Sequence, residues 1–351
     1  MGGAGSGDRH VLVVGGAGYL GNVLVRRLLS AGYRVRVLDS LIFDQASALA
    51  GLFENPGFSF MRGDVCESAD VERALEGATD VALLAAFVGE PLCNKYPELA
   101  RRVNAVGAKQ LFSALAGRGI DRFVFTSTCS NYGLRDSDEP AAEDAELHPL
   151  SLYAETKVEV ERHILEHGPE VDFSPTILRV ATAHGLSDRM RFDLTIAEFT
   201  RTLAIGQELV VYDADTWRPY CHVSDISGAV VKVLESPADA VAGEVFNVGH
   251  DDENFTKRMI VETVLERLGG NGRVSYTEGG TDPRNYRVSF AKIGSRLGFQ
   301  SEHRVGGSVS RLIEAIAAGV FDDVERRPSF YGNHLVSEAS VPAHAANNGD
   351  D

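Results

Sequence analysis

The chain has 351 residues, 44% hydrophobic and 24% charged, the balance of a soluble globular protein with room for one large domain or two modest ones. Its 34 Lys and Arg against 50 Asp and Glu give a formal charge of -16, and no basic cluster stands out, which argues against a nucleic-acid partner. Cys66, Cys93, Cys129 and Cys221 lie far apart with no metal-ligand spacing, so no metal site is expected and a reducing, cytoplasmic setting is.

Residues 1–9 open on Met1-Gly2-Gly3-Ala4-Gly5-Ser6 and read as a flexible leader without the basic start of a secretory signal. No apolar run reaches the roughly 18 residues that cross a bilayer, because Asn22, Arg26 and Arg27 interrupt the first candidate, so no membrane partner is expected. From 10 to 185, short apolar runs alternate with longer helical stretches, the rhythm of parallel βαβ units. Strands are predicted over 10–14, 33–39, 58–64, 80–87, 122–127 and 174–181, and helices over 19–31, 69–76, 97–118 and 153–167. Runs such as Val11-Leu12-Val13-Val14 are apolar throughout, as in strands covered on both faces. The class is therefore α/β, a Rossmann-like doubly wound parallel sheet. From 186 to 325 the rhythm loosens into a smaller α+β region with helices near 195–205, 225–235, 256–268, 291–297 and 307–318 and strands at 208–212, 244–248 and 273–277. Residues 326–351 lack apolar periodicity and read as a disordered tail.

Gly15-Gly16-Ala17-Gly18-Tyr19-Leu20-Gly21 follows the first strand and opens a helix, the context of a phosphate cradle. Gly15 permits the tight turn, Gly18 lets backbone N–H groups approach a pyrophosphate alongside Tyr19 and Leu20, and Gly21 lets the helix pack close to the sheet. Asp39 ends the second strand, where a carboxylate bonds ribose hydroxyls and repels a 2′-phosphate, so NAD is expected over NADP. Asp64 and Val65, closing the third strand, reach toward the adenine.

Tyr153 and Lys157 are four apart on a predicted helix and project from one face, where the ammonium favours phenolate and lets tyrosine serve as a base. Taken alone, such a pair equally suits two solvated neighbours. Thr126-Ser127-Thr128-Cys129-Ser130 adds hydroxyls at the C-terminal end of the preceding strand, where open parallel sheets bind ligands. With these motifs the chain resembles the extended short-chain dehydrogenase/reductase family, in its NAD-dependent epimerase/dehydratase branch acting on nucleotide sugars. Further carriers are Leu84-Ala85-Ala86, Arg218-Pro219-Tyr220-Cys221-His222-Val223 and Phe246-Asn247-Val248-Gly249.

The resemblance implies Tyr153 as acid/base, Lys157 as its partner and ribose contact, and Thr128 as the hydroxyl that bonds the reacting oxygen. It implies that Ala85 and Ala86 line the cofactor cleft, that Asn104 supports the site, that Arg218 grips the diphosphate of a nucleotide-diphosphate sugar, and that the protein is a homodimer. Arg191, Arg284 and Arg287 are candidate second contacts, since an acidic protein that holds a diphosphate needs local arginines. In the family's 4,6-dehydratases the matching Thr precedes a pair ending in Glu, whereas here Cys129 and Ser130 follow. This favours a 4-epimerase working through a transient keto-sugar. Three alternatives stay open: an epimerase or dehydratase in which Cys129 moves protons, a keto-sugar reductase using NAD(P)H, and a non-catalytic nucleotide-binding scaffold or redox-sensing regulator.

Overall fold

The computed structural model describes residues 9–135, 139–280, 282–333 and 336; the leader before Arg9 and the tail from 337 lie outside them. The apolar runs form twelve strands: β1 (His10–Val14), β2 (Arg34–Asp39), β3 (Phe58–Arg62), β4 (Asp80–Leu83), β5 (Arg122–Thr128), β6 (Ser174–Val180), β7 (Thr182–His184), β8 (Glu208–Tyr212), β9 (Trp217–His222), β10 (Glu244–Val248), β11 (Asn254–Thr256) and β12 (Arg273–Thr277). Seven of them make one sheet in the order β10-β6-β5-β4-β1-β2-β3, and every pairing in it is parallel. Alternate residues face opposite layers. Val11, Val13, Val35 and Val37 pack with Leu24, Val25 and Leu28 on one side, while Leu12, Val14, Val81 and Phe123 pack with Leu111, Phe112 and Ile164 on the other. The sheet is doubly wound, as the sequence predicts.

Where the structure departs from the sequence reading, long-range contacts explain it. The fourth strand ends at Leu83 instead of 87, because the N–H groups of Leu84 and Ala85 both turn to the Val14 carbonyl at 2.9 Å and steer the chain over the glycine turn. The helix predicted over 97–118 is α-helical over Pro97–Arg101 and Ala108–Ala114 with a π-helical stretch, Arg102–Gly107, between. Such insertions re-aim side chains, and Asn104 sits inside this one. Its amide accepts from Phe87 N at 2.7 Å and donates to Phe87 O at 3.0 Å, fixing the loop after β4.

The boundary at 185 is crossed twice. β10 returns to pair with β6, and the helix Val223–Glu235 buries Ile226, Val230 and Val233 in the same layer as Leu24 and Leu28. The remaining strands form the small sheets β11-β9-β7 and β12-β8. Residues 326–333, expected to be tail, are instead packed: a short helix, Pro328–Tyr331, buries Phe330 and Tyr331 against Tyr19, Met190 and Phe192. Four residues are too few for periodicity to reveal, and the bonds that hold them come from distant segments, such as Phe192 N to Tyr331 O at 2.8 Å. Among the described residues, no helix is long and apolar enough to cross a membrane.

Gly15 has φ +87°, and a Cβ there would stand 2.5 Å from Ala85 N, whereas Gly77, at φ +69°, faces open space. Gly15→Ala is therefore expected to destabilise the protein by roughly 1–3 kcal/mol more than Gly77→Ala, measured by urea unfolding of the two variants side by side.

Candidate active site

The C-terminal ends of β1, β2, β4 and β5 open into a cavity of about 790 Å3 that runs from Asp39 at one end to Arg284 at the other. This is where doubly wound sheets bind ligands. At the first end the glycine turn is drawn tight by Gly15 N donating to Leu38 O at 2.8 Å and Gly18 N to Gly15 O at 3.2 Å. The helix Tyr19–Ser30 then presents its N-terminus to the cavity. A Cβ on Gly21 would stand 2.2 Å from the Gly15 carbonyl, so the helix can approach the turn only with glycine there.

The Asp39 carboxylate accepts from Ala17 N at 3.0 Å, Leu41 N at 2.9 Å and Gln45 Nε2 at 3.2 Å. Burial pushes its pKa up, against those N–H donors and the nearby Arg189. Leu41 and Asp44 both adopt left-handed backbone, with φ 59° and 56°, in the loop this carboxylate organises. Asp64 holds its own turn through Cys66 N at 2.9 Å. All the residues expected to hold the cofactor, Gly15, Gly18, Tyr19, Leu20, Gly21, Asp39, Asp64, Val65, Ala85, Ala86 and Lys157, line this cavity. A cradle without room for side chains, a helix N-terminus and a carboxylate at the end of β2 fit a dinucleotide.

Farther along, Ser151 Oγ accepts from Ala154 N at 3.3 Å and caps the helix Leu152–His167, which carries Tyr153 and, one turn on, Lys157. Lys157 is 2% exposed; its Nζ donates to the Thr126 carbonyl at 2.8 Å and lies 5.8 Å from the centre of the Tyr153 ring. Burial pulls its pKa down to about 7, with Glu161 on the next turn acting the other way. Burial, with Cys93 adding, holds the Tyr153 phenol well above its ordinary value, and Arg191 and Arg284 counter it. Thr128, which ends β5, lines the cavity and caps the following turn through Ser130 N at 3.1 Å.

Two expectations are corrected. Cys129 does not line the cavity: it is 1% exposed in the core, its Sγ donates to the Arg179 carbonyl at 3.2 Å, and burial pushes its thiol far above the ordinary range. Side chains alternate at the end of β5, so Thr128 and Cys129 face opposite ways. Arg287 is likewise turned off the site, its guanidinium 5.2 Å from the Trp217 ring, because its neighbours Tyr286 and Val288 point inward.

The other three arginines do line the cavity. Arg284 forks onto Asp282 with two bonds of 2.7 Å and donates to Ser130 Oγ at 3.1 Å. The buried NH2 of Arg218 stands 3.0 Å from the same carboxylate. Burial would raise the Asp282 carboxyl, but Arg284 and Arg218 together hold it well below its usual range. Arg191 is buried and pairs with Asp193. His222 is a capping residue, its Nδ1 accepting from Ser224 N at 3.1 Å. Arg189, Lys257 and Asn333 also line the cavity, and sequence reasoning missed them; Glu90 lines it too, on the loop after β4 that the sequence places over the sugar or nicotinamide without assigning it a role. For Arg189 there was a signal, since it stands two before Arg191; for Asn333 there was none.

A family model described as NAD dependent epimerase/dehydratase family matches residues 11–249. The chain is 29% identical over 311 residues to a UDP-glucose 4-epimerase of Corynebacterium glutamicum, covering 84% of this chain and 91% of that protein. It is 30% identical over 303 residues to a dTDP-glucose 4,6-dehydratase of Actinoplanes sp., covering 83% and 92%. A crystal structure of Thermus thermophilus UDP-glucose 4-epimerase in complex with NAD superposes with a TM-score of 0.75 at 26% identity, over 88% of this chain and 99% of that one. A Streptomyces venezuelae dTDP-glucose 4,6-dehydratase with NAD bound gives 0.80 at 25%, over 88% and 97%. The glycine cradle, the acid at the end of β2 and these likenesses lead to one conclusion: the chain belongs to the NAD-dependent epimerase/dehydratase family.

Proposed function

We propose that the protein inverts one carbon of a nucleotide-diphosphate sugar, most simply C4, through a transient keto-sugar. The observation that carries this reading is the segment Thr128-Cys129-Ser130. Elimination of water needs a carboxylic acid beside the Thr–Tyr pair; the two residues after Thr128 supply only a thiol turned into the core and the Ser130 hydroxyl, and the Glu90 carboxylate enters the cavity from the loop after β4 instead. Relatives named UDP-glucose 4-epimerase support the reading, while one named dTDP-glucose 4,6-dehydratase matches over as much of the chain, so the choice between them rests on the segment after Thr128.

NAD, held by the glycine turn, Asp39 and Lys157, would supply the hydride acceptor and donor of such a cycle. The chain's own groups do the rest. Tyr153 takes the proton of the sugar hydroxyl, Thr128 hydrogen-bonds the same oxygen, and Lys157 in its protonated form lowers the cost of the phenolate beside it. Arg218 and Arg284 grip the diphosphate. A keto-sugar is trigonal at the oxidised carbon, so one held only by its nucleotide end can turn over and present the other face of that carbon. The enzyme is expected to work in the cytoplasm as a homodimer.

Tyr153→Phe is expected to lower turnover of the productive nucleotide sugar by about 10²–10⁴-fold while leaving NAD affinity intact, and Cys129→Ala to keep wild-type turnover. Wild-type activity in Tyr153→Phe, or a dead Cys129→Ala that is still folded, would sink the assignment.

Lys157 has a second consequence. Its amine titrates near 7 in the folded protein against an ordinary value of 10.5. Between those two values the unfolded chain holds one proton more, so wild-type stability rises with pH across that window. Below it the cost of the buried charge is present in full. Urea unfolding at pH 7 and pH 9 should show this rise in the wild type and not in Lys157→Met; parallel behaviour of the two proteins would mean that Lys157 is not held as a depressed amine.

A further inference from the structure

Arg189 is 2% exposed, lines the cavity, and belongs to no motif. Its NH2 donates to Asn333 Oδ1 at 2.8 Å and to the carbonyls of Ser329 and Gly332 at 3.2 and 3.4 Å. Its guanidinium carbon stands 4.9 Å from the Phe43 ring, and it attracts Asp39. Among the described residues, however, its Nε is buried without any acceptor. A buried donor left unpaired costs roughly 1–3 kcal/mol, more when charged, so an N–H of this kind on a residue that lines the cavity points to a ligand oxygen.

The partners of Arg189 lie on segments that surround the cofactor end. Phe43 belongs to the loop after β2, between Leu41 and Asp44 with their left-handed backbone. Strain of this sort persists where surrounding contacts enforce it. Asn333 donates in turn to the Val88 carbonyl at 3.3 Å, in the loop after β4, and Arg327 donates to Ser47 Oγ at 2.9 Å. Residues 327–333 thus reach from the loop after β2 to the loop after β4, with Arg189 as the peg. Because Arg189 neighbours Asp39 and Phe43, the part of a dinucleotide it meets is the adenosine diphosphate half.

We propose that Arg189 retains the cofactor: its Nε donates to an oxygen of the adenosine diphosphate half of NAD, and its NH2 latches residues 327–333 over that half, so that NAD leaves only when the latch opens. This depends on the NAD site and not on which sugar reaction follows. An enzyme that regenerates its cofactor in every cycle loses nothing by holding it.

The test measures binding, not turnover. Titration calorimetry with NAD, ADP-ribose and UDP, and the rate of NAD release from loaded protein, would be compared in wild type, Arg189→Met, Arg189→Lys and Asn333→Ala. Arg189→Met is expected to weaken NAD and ADP-ribose alike by about 10- to 100-fold, the scale of one lost charged hydrogen bond, with UDP unchanged. Asn333→Ala, which keeps the Nε donor, should release NAD faster. Should Arg189→Met fail to fold, the lysine variant, which keeps the charge but lacks the second donor, is expected to show the same selective loss. Unchanged NAD affinity in the folded Arg189 variant, release from Asn333→Ala as slow as from wild type, or weakened UDP with intact ADP-ribose would each overturn the proposal.

Discussion

Tyr153, Lys157 and Glu161 stand one turn apart on the same face of the helix Leu152–His167, and the buried Glu161 carboxylate is what holds that face against the sheet. It accepts from Asn131 Nδ2 at 2.8 Å and Arg179 NH2 at 2.7 Å, and also from Ser127 Oγ. Arg179 sits on β6 and Ser127 on β5, so a single carboxylate fixes the helix relative to the two strands beneath it. Lys157 then has one place to go, the Thr126 carbonyl, and Tyr153 is left facing the cavity beside Thr128. A buried ion pair of this kind is a poor source of net stability. What it supplies is position, because leaving either partner unpaired in the core would cost far more than any slip of the helix could regain.

The cavity shows how an acidic protein is able to hold an anionic ligand. Net charge acts at long range and is screened by salt, whereas Arg191, Arg218 and Arg284 act at contact inside a desolvated wall. Asp193 and Asp282 pair with these guanidinium groups and hold them in place, and on the proposed reading the N–H groups they leave over would meet the phosphate. At the opposite end the same economy is reached without side chains, by backbone N–H groups at a glycine turn and a helix N-terminus. The two ends share one continuous cavity, with Tyr153 and Lys157 among the residues along it.

The parts of this arrangement that were legible in the sequence are those written in a few consecutive residues. The turn from Gly15 to Gly21, Asp39 at a strand end, and the spacing of Tyr153 and Lys157 each carry their geometry in local backbone rules. Orientation at the ends of regular elements was less legible. Cys129 stands between the cavity-lining Thr128 and Ser130, and Arg287 between the core residues Tyr286 and Val288, so both side chains turn away from the cavity. The role of residues 327–333 and of Arg189 was not legible at all, because their meaning lies in pairings more than a hundred positions apart, such as Arg189 with Asn333. The same holds for β10, whose run looks like any other strand until its partner β6 is known.

Incubation of purified protein with UDP-, dTDP- and GDP-linked sugars and catalytic NAD in heavy water, followed by mass spectrometry and proton NMR of the products, tests the central claim most directly. Proton transfer by Tyr153, supported by Thr128 and Lys157, with hydride returned to the same carbon, predicts an isomer of unchanged mass, inverted at the oxidised carbon and free of carbon-bound solvent deuterium. Loss of water, deuterium at a carbon next to the oxidised one, or a keto-sugar product formed only in the amount of the NAD supplied would contradict it.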